Sequence, residues 1–181
     1  MVYLFLAEGF EEIEALTTVD ILRRCGIAIQ TVSVAESMEV AGAHGIAVKA
    51  DKMLEDVVLE DAEALVLPGG MPGTDNLESC GRLKELLRQA YAREILIAAI
   101  CAAPKILGAM GLLEGKCAVC FPGYEDFMTG AEVLTENAVA DGNIITSRGA
   151  GTAHDFAFEI AKKLGKAVQA NVTRESMLYD K

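Results

Sequence analysis

Short apolar runs alternate with helix-like stretches along this chain, and the alternation restricts the folds that it can adopt. The runs are rich in Val, Ile and Leu with few polar interruptions, which is typical of parallel strands buried on both faces. Strands that alternate with helices build an α/β sandwich around a mostly parallel sheet, and we predict this fold class. The predicted strands cover residues 2–7, 27–34, 45–49, 62–67 and 95–100, with two more between 133 and 146 around an Asp-Gly turn, and the predicted helices cover 11–25, 81–92, 152–164 and 167–178.

The first predicted helix carries apolar residues at helical spacing, which favours one buried face. Gly26 follows this pattern and is expected to end the helix. We expect the apolar face to pack against the sheet. The residues predicted on it are Ile13, Leu16, Val19 (or Thr18), Ile21 and Leu22.

The composition is that of a globular protein with an acidic surface. The chain has 181 residues, of which 52% are hydrophobic and 24% are charged, so it can form a full core and is unlike a disordered chain. No linker, repeat or low-complexity stretch divides it, and we predict a single domain over residues 1–181. A formal net charge of −11 without a basic cluster argues against nucleic acid and anionic membranes as partners.

The N-terminal run and the cysteines predict the compartment. Residues 2–7 are apolar but lack a basic flank and lead into acidic residues, so we predict a first strand rather than a signal peptide. No apolar run approaches the ~20 residues that span a bilayer. The five cysteines are odd in number, and their spacing does not indicate a secreted disulfide framework. We therefore expect a reducing, cytoplasmic location.

Cys101 lies between the predicted strand at 95–100 and a helix that begins near Pro104. A residue at such a turn is presented at the carboxyl end of its strand, close to the free N–H groups of the helix. Their partial positive charge favours thiolate over thiol and predicts a nucleophile with a lowered pKa. The alternative is a buried cysteine that acts as a small hydrophobic residue. The local sequence leaves both interpretations open.

Two other segments follow predicted strands and are expected at the same edge of the sheet. The glycines of the first, at 68–73, allow a backbone N–H of Gly69 or Gly70 to form an oxyanion hole with the N–H of Ala102. The second segment, at 8–14, is acidic. Its Glu14 lies one turn into the helix and is predicted to face Cys101. The residues expected to form a solvated helix start are Glu8, Glu11 and Glu12.

Four segments of the chain form a recognisable set: Glu-Gly-Phe-Glu-Glu-Ile-Glu at 8–14, Leu-Pro-Gly-Gly-Met-Pro-Gly at 67–73, Ala-Ala-Ile-Cys-Ala-Ala-Pro at 98–104 and Thr-Ser-Arg-Gly-Ala-Gly-Thr at 146–152. In this order they are similar to the DJ-one branch of the ThiJ/PfpI superfamily. The resemblance implies a flavodoxin-like three-layer sandwich, like that of class I glutamine amidotransferases, and a homodimer. It also implies a reactive Cys101 paired with Glu14, and oxyanion-type donors at Gly70 and Ala102.

The chain departs from this family near the expected site. Many relatives carry a His in the segment that here reads Cys120-Phe121-Pro122, so Cys120 and Phe121 are candidate pocket residues. His44 occupies a position where relatives carry an Arg near the site, so it is the other candidate pocket residue. The sequence is equally consistent with a solvated His in a loop. His154 is interpreted as structural. Without the usual His, we expect no group beside the thiol that titrates near pH 6.5.

The expected chemistry follows from the Cys–Glu pair. An ionised carboxylate would repel a thiolate, so we expect a protonated Glu14 that donates to the Cys101 sulfur. The resemblance implies action on small reactive carbonyls such as methylglyoxal or on their protein adducts (glyoxalase- or deglycase-like). The alternative is a non-enzymatic redox sensor that responds through oxidation of Cys101. The superfamily's amidotransferases and proteases need a His partner for the Cys, and this chain lacks it at the corresponding positions. No cofactor motif is present, and no metal is expected, because Cys117 and Cys120 have no second pair.

Overall fold

The structure, a computed structural model, describes residues 1–179, so the last two residues of the predicted domain 1–181 lie outside it. A seven-stranded sheet in the order β10-β11-β7-β6-β1-β2-β5 forms its centre. The strands are β1 (Val2–Leu6), β2 (Ile29–Ser33), β3 (Glu39–Ala41), β4 (Ala47–Lys49), β5 (Lys52–Met53), β6 (Ala64–Leu67), β7 (Leu96–Ile100), β8 (Cys117–Ala118), β9 (Glu132–Val133), β10 (Ala138–Asp141) and β11 (Ile144–Ser147).

The predicted mostly parallel sheet is confirmed. Every neighbouring pair of this sheet is parallel except β10 and β11, which pair in antiparallel register as a hairpin. The turn at Asp141-Gly142 joins the two strands, as its sequence predicts. The parallel arrangement brings the carboxyl ends of β1, β6 and β7 to one edge, and the segments with candidate site residues begin there.

Helices cover both faces of the sheet and give three layers. Side chains alternate along β1, so that Leu4 and Leu6 pack with one group of helices while Tyr3 and Phe5 pack with the other. Helices α1, α5 and α6 contribute to the first core, and α2, α3 and α4 contribute to the second. The helices are α1 (Glu12–Arg24), α2 (Gly73–Ser79), α3 (Gly81–Ala92), α4 (Pro104–Ala109), α5 (Ala153–Lys163) and α6 (Ala167–Ser176).

The buried face of α1 includes Val19, Ile21 and Leu22, as predicted, but it differs from the prediction at the start of the helix. Ile13 and Leu16 were expected to face the sheet, but their side chains are 54% and 38% exposed. Glu12 and Glu14 are buried instead. Burial of a carboxyl is costly unless hydrogen bonds compensate for the loss of water, and backbone N–H groups provide such bonds to both residues. Hydrophobic periodicity therefore gave the wrong orientation for the first turns of the helix.

The segment at 45–49 and the segment after β6 also differ from the sequence prediction. The strand predicted at 45–49 is β4, which pairs only with β3 in a small separate hairpin rather than in the main sheet. The glycine-rich segment after β6 leads into α2, which was not predicted. This helix has seven residues and begins at a glycine, so it carries too short a pattern to be recognised. Within residues 1–179, no helix is long and apolar enough to cross a membrane.

Candidate active site

Cys101 lies at a sharp turn directly after β7, as the sequence predicts. Its φ is +64°, a left-handed conformation that costs a residue with a side chain of the order of 1–3 kcal/mol and that clusters at functional sites. Its N–H donates to the carbonyl oxygen of Ser147 at 2.9 Å, and α4 begins three residues later at Pro104. The turn presents the thiol at the carboxyl edge of the sheet, where it is partly exposed.

The two backbone groups predicted as oxyanion donors lie at the sulfur. The N–H groups of Ala102 and Gly70 both hydrogen bond to the Cys101 thiol. Gly70 has a φ of +92°, which a residue with a side chain rarely adopts. Gly69, the other candidate donor, has a different partner: its N–H donates to Glu14 Oε2 at 2.7 Å.

Glu14 reaches Cys101 from the first turn of α1. Its side chain is 1% exposed, and within residues 1–179 nothing donates to its second oxygen, Oε1. A Cβ atom on Gly69 would lie 2.7 Å from the Cys101 Cβ and 2.8 Å from Glu14 Oε2. Both side chains therefore converge on the backbone of Gly69, and only a glycine fits between them.

The pair has strongly shifted pKa values. Burial raises the pKa of Glu14 to about 7, although hydrogen bonds from Gly69 and Cys101 oppose the shift. Burial and the Glu14 charge raise the pKa of the Cys101 thiol to about 12, against the N–H groups of Ala102 and Gly70. The predicted lowering of the thiol pKa is thus wrong while Glu14 is ionised, because burial and repulsion outweigh the helix start. Glu14 loses its proton first, and near neutral pH it exists in both forms.

The neighbouring Glu12 is buried as well, which corrects the prediction of a solvated side chain. One oxygen accepts from the backbone N–H groups of His44 at 2.7 Å and Ile46 at 3.4 Å, and the other lies 2.8 Å from His44 Nδ1. Burial raises the pKa of Glu12, but these hydrogen bonds outweigh it and the net pKa is lowered. Glu11, at the N-cap of α1, accepts from the Glu14 N–H at 2.7 Å.

His44 interacts with Glu12. Its side chain is 69% exposed, and the bond to Glu12 raises the pKa of the imidazole. Within the described residues, no hydrogen bond or ion pair joins His44 to Cys101 or Glu14. The ligand atoms of Glu11, Glu12 and His44 lie within 4.8 Å of one another, so this group could hold a metal ion. A metal would have to replace the existing bond between His44 and Glu12.

Phe121 lies beside the Cys101 turn, in the segment where the family pattern has a His and this chain has none. Its N–H donates to the Cys101 carbonyl oxygen at 2.8 Å. A Cβ on Gly149 would lie 3.3 Å from the Phe121 ring and 3.9 Å from the Cys101 sulfur, so the ring and the sulfur both lie near this glycine. Cys120 is buried, and burial together with Glu125 raises the pKa of its thiol to about 11.

Sequence reasoning missed two residues of the site. It did not give Gly69 its role as donor to Glu14, although the Gly-Gly pair was noted, and it did not identify Gly149. His154 lies outside this arrangement of groups; its ring stacks on that of Tyr179, with centroids 4.9 Å apart. This contact agrees with the structural role expected for His154.

A sequence model of the DJ-1/PfpI family matches residues 1–163. The chain belongs to the DJ-1/PfpI family. It is 38% identical over 180 residues to the Parkinson disease protein 7 homolog of Danio rerio, which covers 97% of this chain and 95% of the relative. The glutathione-independent glyoxalase DJR-1.2 of Caenorhabditis elegans is 37% identical over 160 residues, or 87% of this chain and 84% of the relative.

Solved structures of the DJ-1/PfpI family share the fold. The structure described as oxidized DJ-1 of Toxoplasma gondii has a TM-score of 0.94 and 33% identity, and the match covers 99% of this chain and 98% of that one. Not every relative has this length: the chain spans only 37% and 41% of the DJ-1 homologs B and A of Arabidopsis thaliana.

Proposed function

We propose that this DJ-1/PfpI protein converts small α-oxoaldehydes, such as methylglyoxal, to α-hydroxy acids without glutathione. One observation carries the proposal: a Cys101 thiol held by two N–H groups lies beside a buried Glu14 carboxyl with a pKa of about 7. A group with a pKa near the working pH can both accept and donate a proton. The name of the Caenorhabditis elegans relative supports the same reaction.

The first step is addition of the Cys101 sulfur to the aldehyde carbon. The ionised Glu14 accepts the thiol proton as the C–S bond forms, and the π electrons of the C=O bond move to the oxygen. The N–H groups of Ala102 and Gly70, which hold the sulfur in the free protein, are near enough to stabilise this oxygen as charge develops on it. Protonation of the oxygen by Glu14 gives a hemithioacetal.

Glu14 then moves a proton between the two carbons. It accepts the proton of the former aldehyde carbon and passes it to the neighbouring carbonyl oxygen, which gives an enediol. It then accepts the hydroxyl proton of the sulfur-bearing carbon and delivers it to the neighbouring carbon, which gives a thioester of the hydroxy acid. Hydrolysis by one water releases the acid and restores the thiol. The sum is oxoaldehyde plus water to hydroxy acid, so no external oxidant or reductant is needed. The early adducts of such aldehydes on proteins form reversibly, and the aldehyde that they release enters the same reaction.

The test measures lactate formed from methylglyoxal by purified protein in the absence of glutathione. We expect turnover by the unaltered chain, no detectable turnover by Cys101→Ser, and full turnover by Cys117→Ser. Cys117 is the matched control because it is also a partly exposed free thiol. If Cys101→Ser keeps its activity, or if the unaltered chain forms no lactate, the proposal is wrong.

The second candidate is a redox sensor. It is favoured by Glu14 Oε1, to which nothing donates within residues 1–179. One peroxide would oxidise the Cys101 thiol to sulfenic acid with release of water, and a second would give the sulfinic acid. A protonated Oε1 can donate to a sulfinate oxygen and halt oxidation there. Mass spectrometry after substoichiometric peroxide should find Cys101 modified before the other thiols. Earlier modification of Cys80 or Cys117 would contradict this assignment and that of the nucleophile.

We also propose a second copy of the chain as partner, as the family resemblance implies. Apolar side chains on the outer face of α1 and beside it support this, since Ile13 and Ile46 are each 54% exposed and Leu16 is 38% exposed. Ile13→Asp would place a charge in such an interface. Sedimentation velocity should then give a dimer for the unaltered chain and a monomer for the variant, whereas two identical profiles would exclude this interface.

A further inference from the structure

A row of three aromatic rings begins beside the Cys101 thiol. The ring centroids of Phe121 and Tyr124 lie 6.4 Å apart at an interplanar angle of 80°, and those of Tyr124 and Phe127 lie 5.8 Å apart at 44°. Such offset and edge contacts are favourable between aromatic rings. We call these three residues the aromatic row. Two consecutive backbone turns carry the row. The Tyr124 N–H donates to the Phe121 carbonyl oxygen and the Phe127 N–H to the Tyr124 carbonyl oxygen, each at 3.1 Å.

The aromatic row is exposed but held in a fixed position. Phe121 and Phe127 are 46% and 53% exposed, whereas Phe5, Phe10, Phe156 and Phe158 are fully buried. At the far end, the Lys105 ammonium lies 5.8 Å above the centre of the Phe127 ring. The same ammonium is fixed by ion pairs with Asp75 at 2.6 Å and Glu78 at 3.0 Å.

The backbone beneath the aromatic row is also closely packed. A Cβ atom on Gly108 of α4 would collide with the Phe127 carbonyl oxygen, so the segment that carries the row lies directly against α4. This helix begins just after the Cys101 turn. Helix α4 therefore holds both the segment that carries the aromatic row and the turn that carries the thiol.

We propose that the aromatic row is a substrate subsite that selects α-oxoaldehydes with an aromatic substituent, such as phenylglyoxal. The inference deepens the proposed function and rests on it. The Phe121 ring and the Cys101 sulfur both lie within 4 Å of the position that a Cβ on Gly149 would take, so the substituent of a carbonyl carbon bonded to the sulfur can reach the Phe121 ring. A methyl group covers little of this surface, whereas a phenyl ring can stack on it and remove apolar area from water.

The proposal is tested first by alkylation of Cys101, which does not depend on turnover. The two reagents are the chloroketones 2-chloroacetophenone, which carries a phenyl group on its carbonyl carbon, and chloroacetone, which carries a methyl group there. With either reagent the C–S bond forms as chloride leaves and the thiol proton passes to the buffer. The rate constant for each is measured by mass spectrometry on the full chain, and their ratio is divided by the ratio for N-acetylcysteine. This normalised ratio reports only what the protein adds.

We expect a normalised ratio of about 10 or more for the unaltered chain. Phe121→Ala should bring it close to 1, and Phe127→Ala should lower it about twofold to threefold. Phe121→Leu keeps apolar bulk without a ring and should give an intermediate value. Val172→Ala is the control, since Val172 is 61% exposed on α6 and should leave the ratio unchanged. A ratio near 1 for the unaltered chain, or one that Phe121→Ala leaves unchanged, overturns the proposal.

Turnover of phenylglyoxal and methylglyoxal by the same variants separates this inference from the proposed function. A higher kcat/KM for phenylglyoxal that falls in Phe121→Ala, with little change for methylglyoxal, supports both. Selective alkylation without turnover of either aldehyde supports the aromatic subsite and contradicts the carbonyl activity. Turnover without selectivity in either assay contradicts the subsite alone. If neither chloroketone alkylates Cys101, both the subsite and the nucleophile are wrong.

Discussion

Glu12 and Glu14 are separated by one residue on α1 and are both buried, but their surroundings give them opposite properties. Three donors surround the Glu12 carboxyl, and its pKa is lowered. The Glu14 carboxyl accepts from the Gly69 N–H and the Cys101 thiol, and within residues 1–179 nothing donates to its Oε1. Its pKa is raised to about 7. The number of donors decides whether burial keeps a carboxylate ionised. Glu12 is thus suited to holding the His44 turn, and Glu14 to moving protons at Cys101.

The largest expected effect is on turnover by Glu14→Gln. The amide keeps the size of the side chain but cannot exchange a proton, and loss of a general acid–base group typically costs ~10²–10⁴-fold in rate. We expect kcat/KM for methylglyoxal to fall by this amount. In Glu12→Gln, kcat/KM should fall by less than tenfold, because Glu12 does not contact the thiol. Equal losses in the two variants would mean that the two carboxyls do not divide these roles.

The pH profile of the unaltered chain sharpens the same comparison. Addition of the thiol needs the ionised form of Glu14, so the rate should rise with pH and level off above a midpoint near the Glu14 pKa of about 7. This rise of the rate with pH should vanish in Glu14→Gln and persist in His44→Ala. A rise that disappears in His44→Ala would assign the base to His44 instead.

The second effect is on stability and has opposite signs at the two carboxyls. Folding raises the pKa of Glu14 from 4.5 to about 7, so its stabilising contribution is complete below pH 4.5 and is lost as pH rises through 7. Glu14→Gln stays neutral and should raise the free energy of unfolding above pH 8 by about 3 kcal/mol. Urea unfolding at pH 5 and pH 8.5 measures this. An equal gain at both values would exclude titration of Glu14 as its cause.

Glu12 should behave in the reverse way. Its lowered pKa means that its contribution is present above the unfolded pKa and is lost as pH falls through the folded one. Glu12→Ala removes the acceptor of the partly buried bond from the His44 N–H, and loss of a hydrogen bond to a charged group costs about 1–3 kcal/mol at neutral pH. The same urea experiment at pH 7 should show this loss. An unchanged midpoint would show that the carboxylate does not hold the turn.

The smallest expected effect is that of His44→Ala on turnover. The imidazole is exposed and bonded to Glu12, so we expect less than a twofold change in kcat/KM. The backbone N–H of His44 still donates to Glu12 in this variant. A large loss of activity would show that the exposed ring takes part in the reaction.

Much of the fold could be predicted because it depends on patterns that extend over many residues. Apolar strands such as β1 and β7 are recognisable from their own residues. Because β7 runs directly into a helix, the sequence also placed Cys101 at the turn between them. The orientation of α1 could not be predicted in the same way. Ile13 and Leu16 have the spacing of a buried face, but donors from distant segments, Gly69 and the turn at His44, turn the acidic face inward.

The electrostatics of the site depend even more on distant contacts. Which residues approach Cys101 could be inferred from the ends of strands, but the depth of burial could not. Burial sets the pKa of Glu14 near 7, where the sequence indicated no titrating group. Phe121 was expected as a pocket residue, but its contact with Tyr124 and the extension to Phe127 depend on two turns that no pattern indicated.

The central claim is that Glu14 titrates near neutral pH beside Cys101. It is tested most directly by a ¹³C NMR titration of protein labelled at the Glu side-chain carboxyls. We predict one carboxyl with a midpoint near pH 7 in the unaltered chain and in Glu12→Gln, and its absence in Glu14→Gln. If every Glu carboxyl titrates below about pH 5, as ordinary ones do, Glu14 is a permanent carboxylate and cannot be the proton carrier.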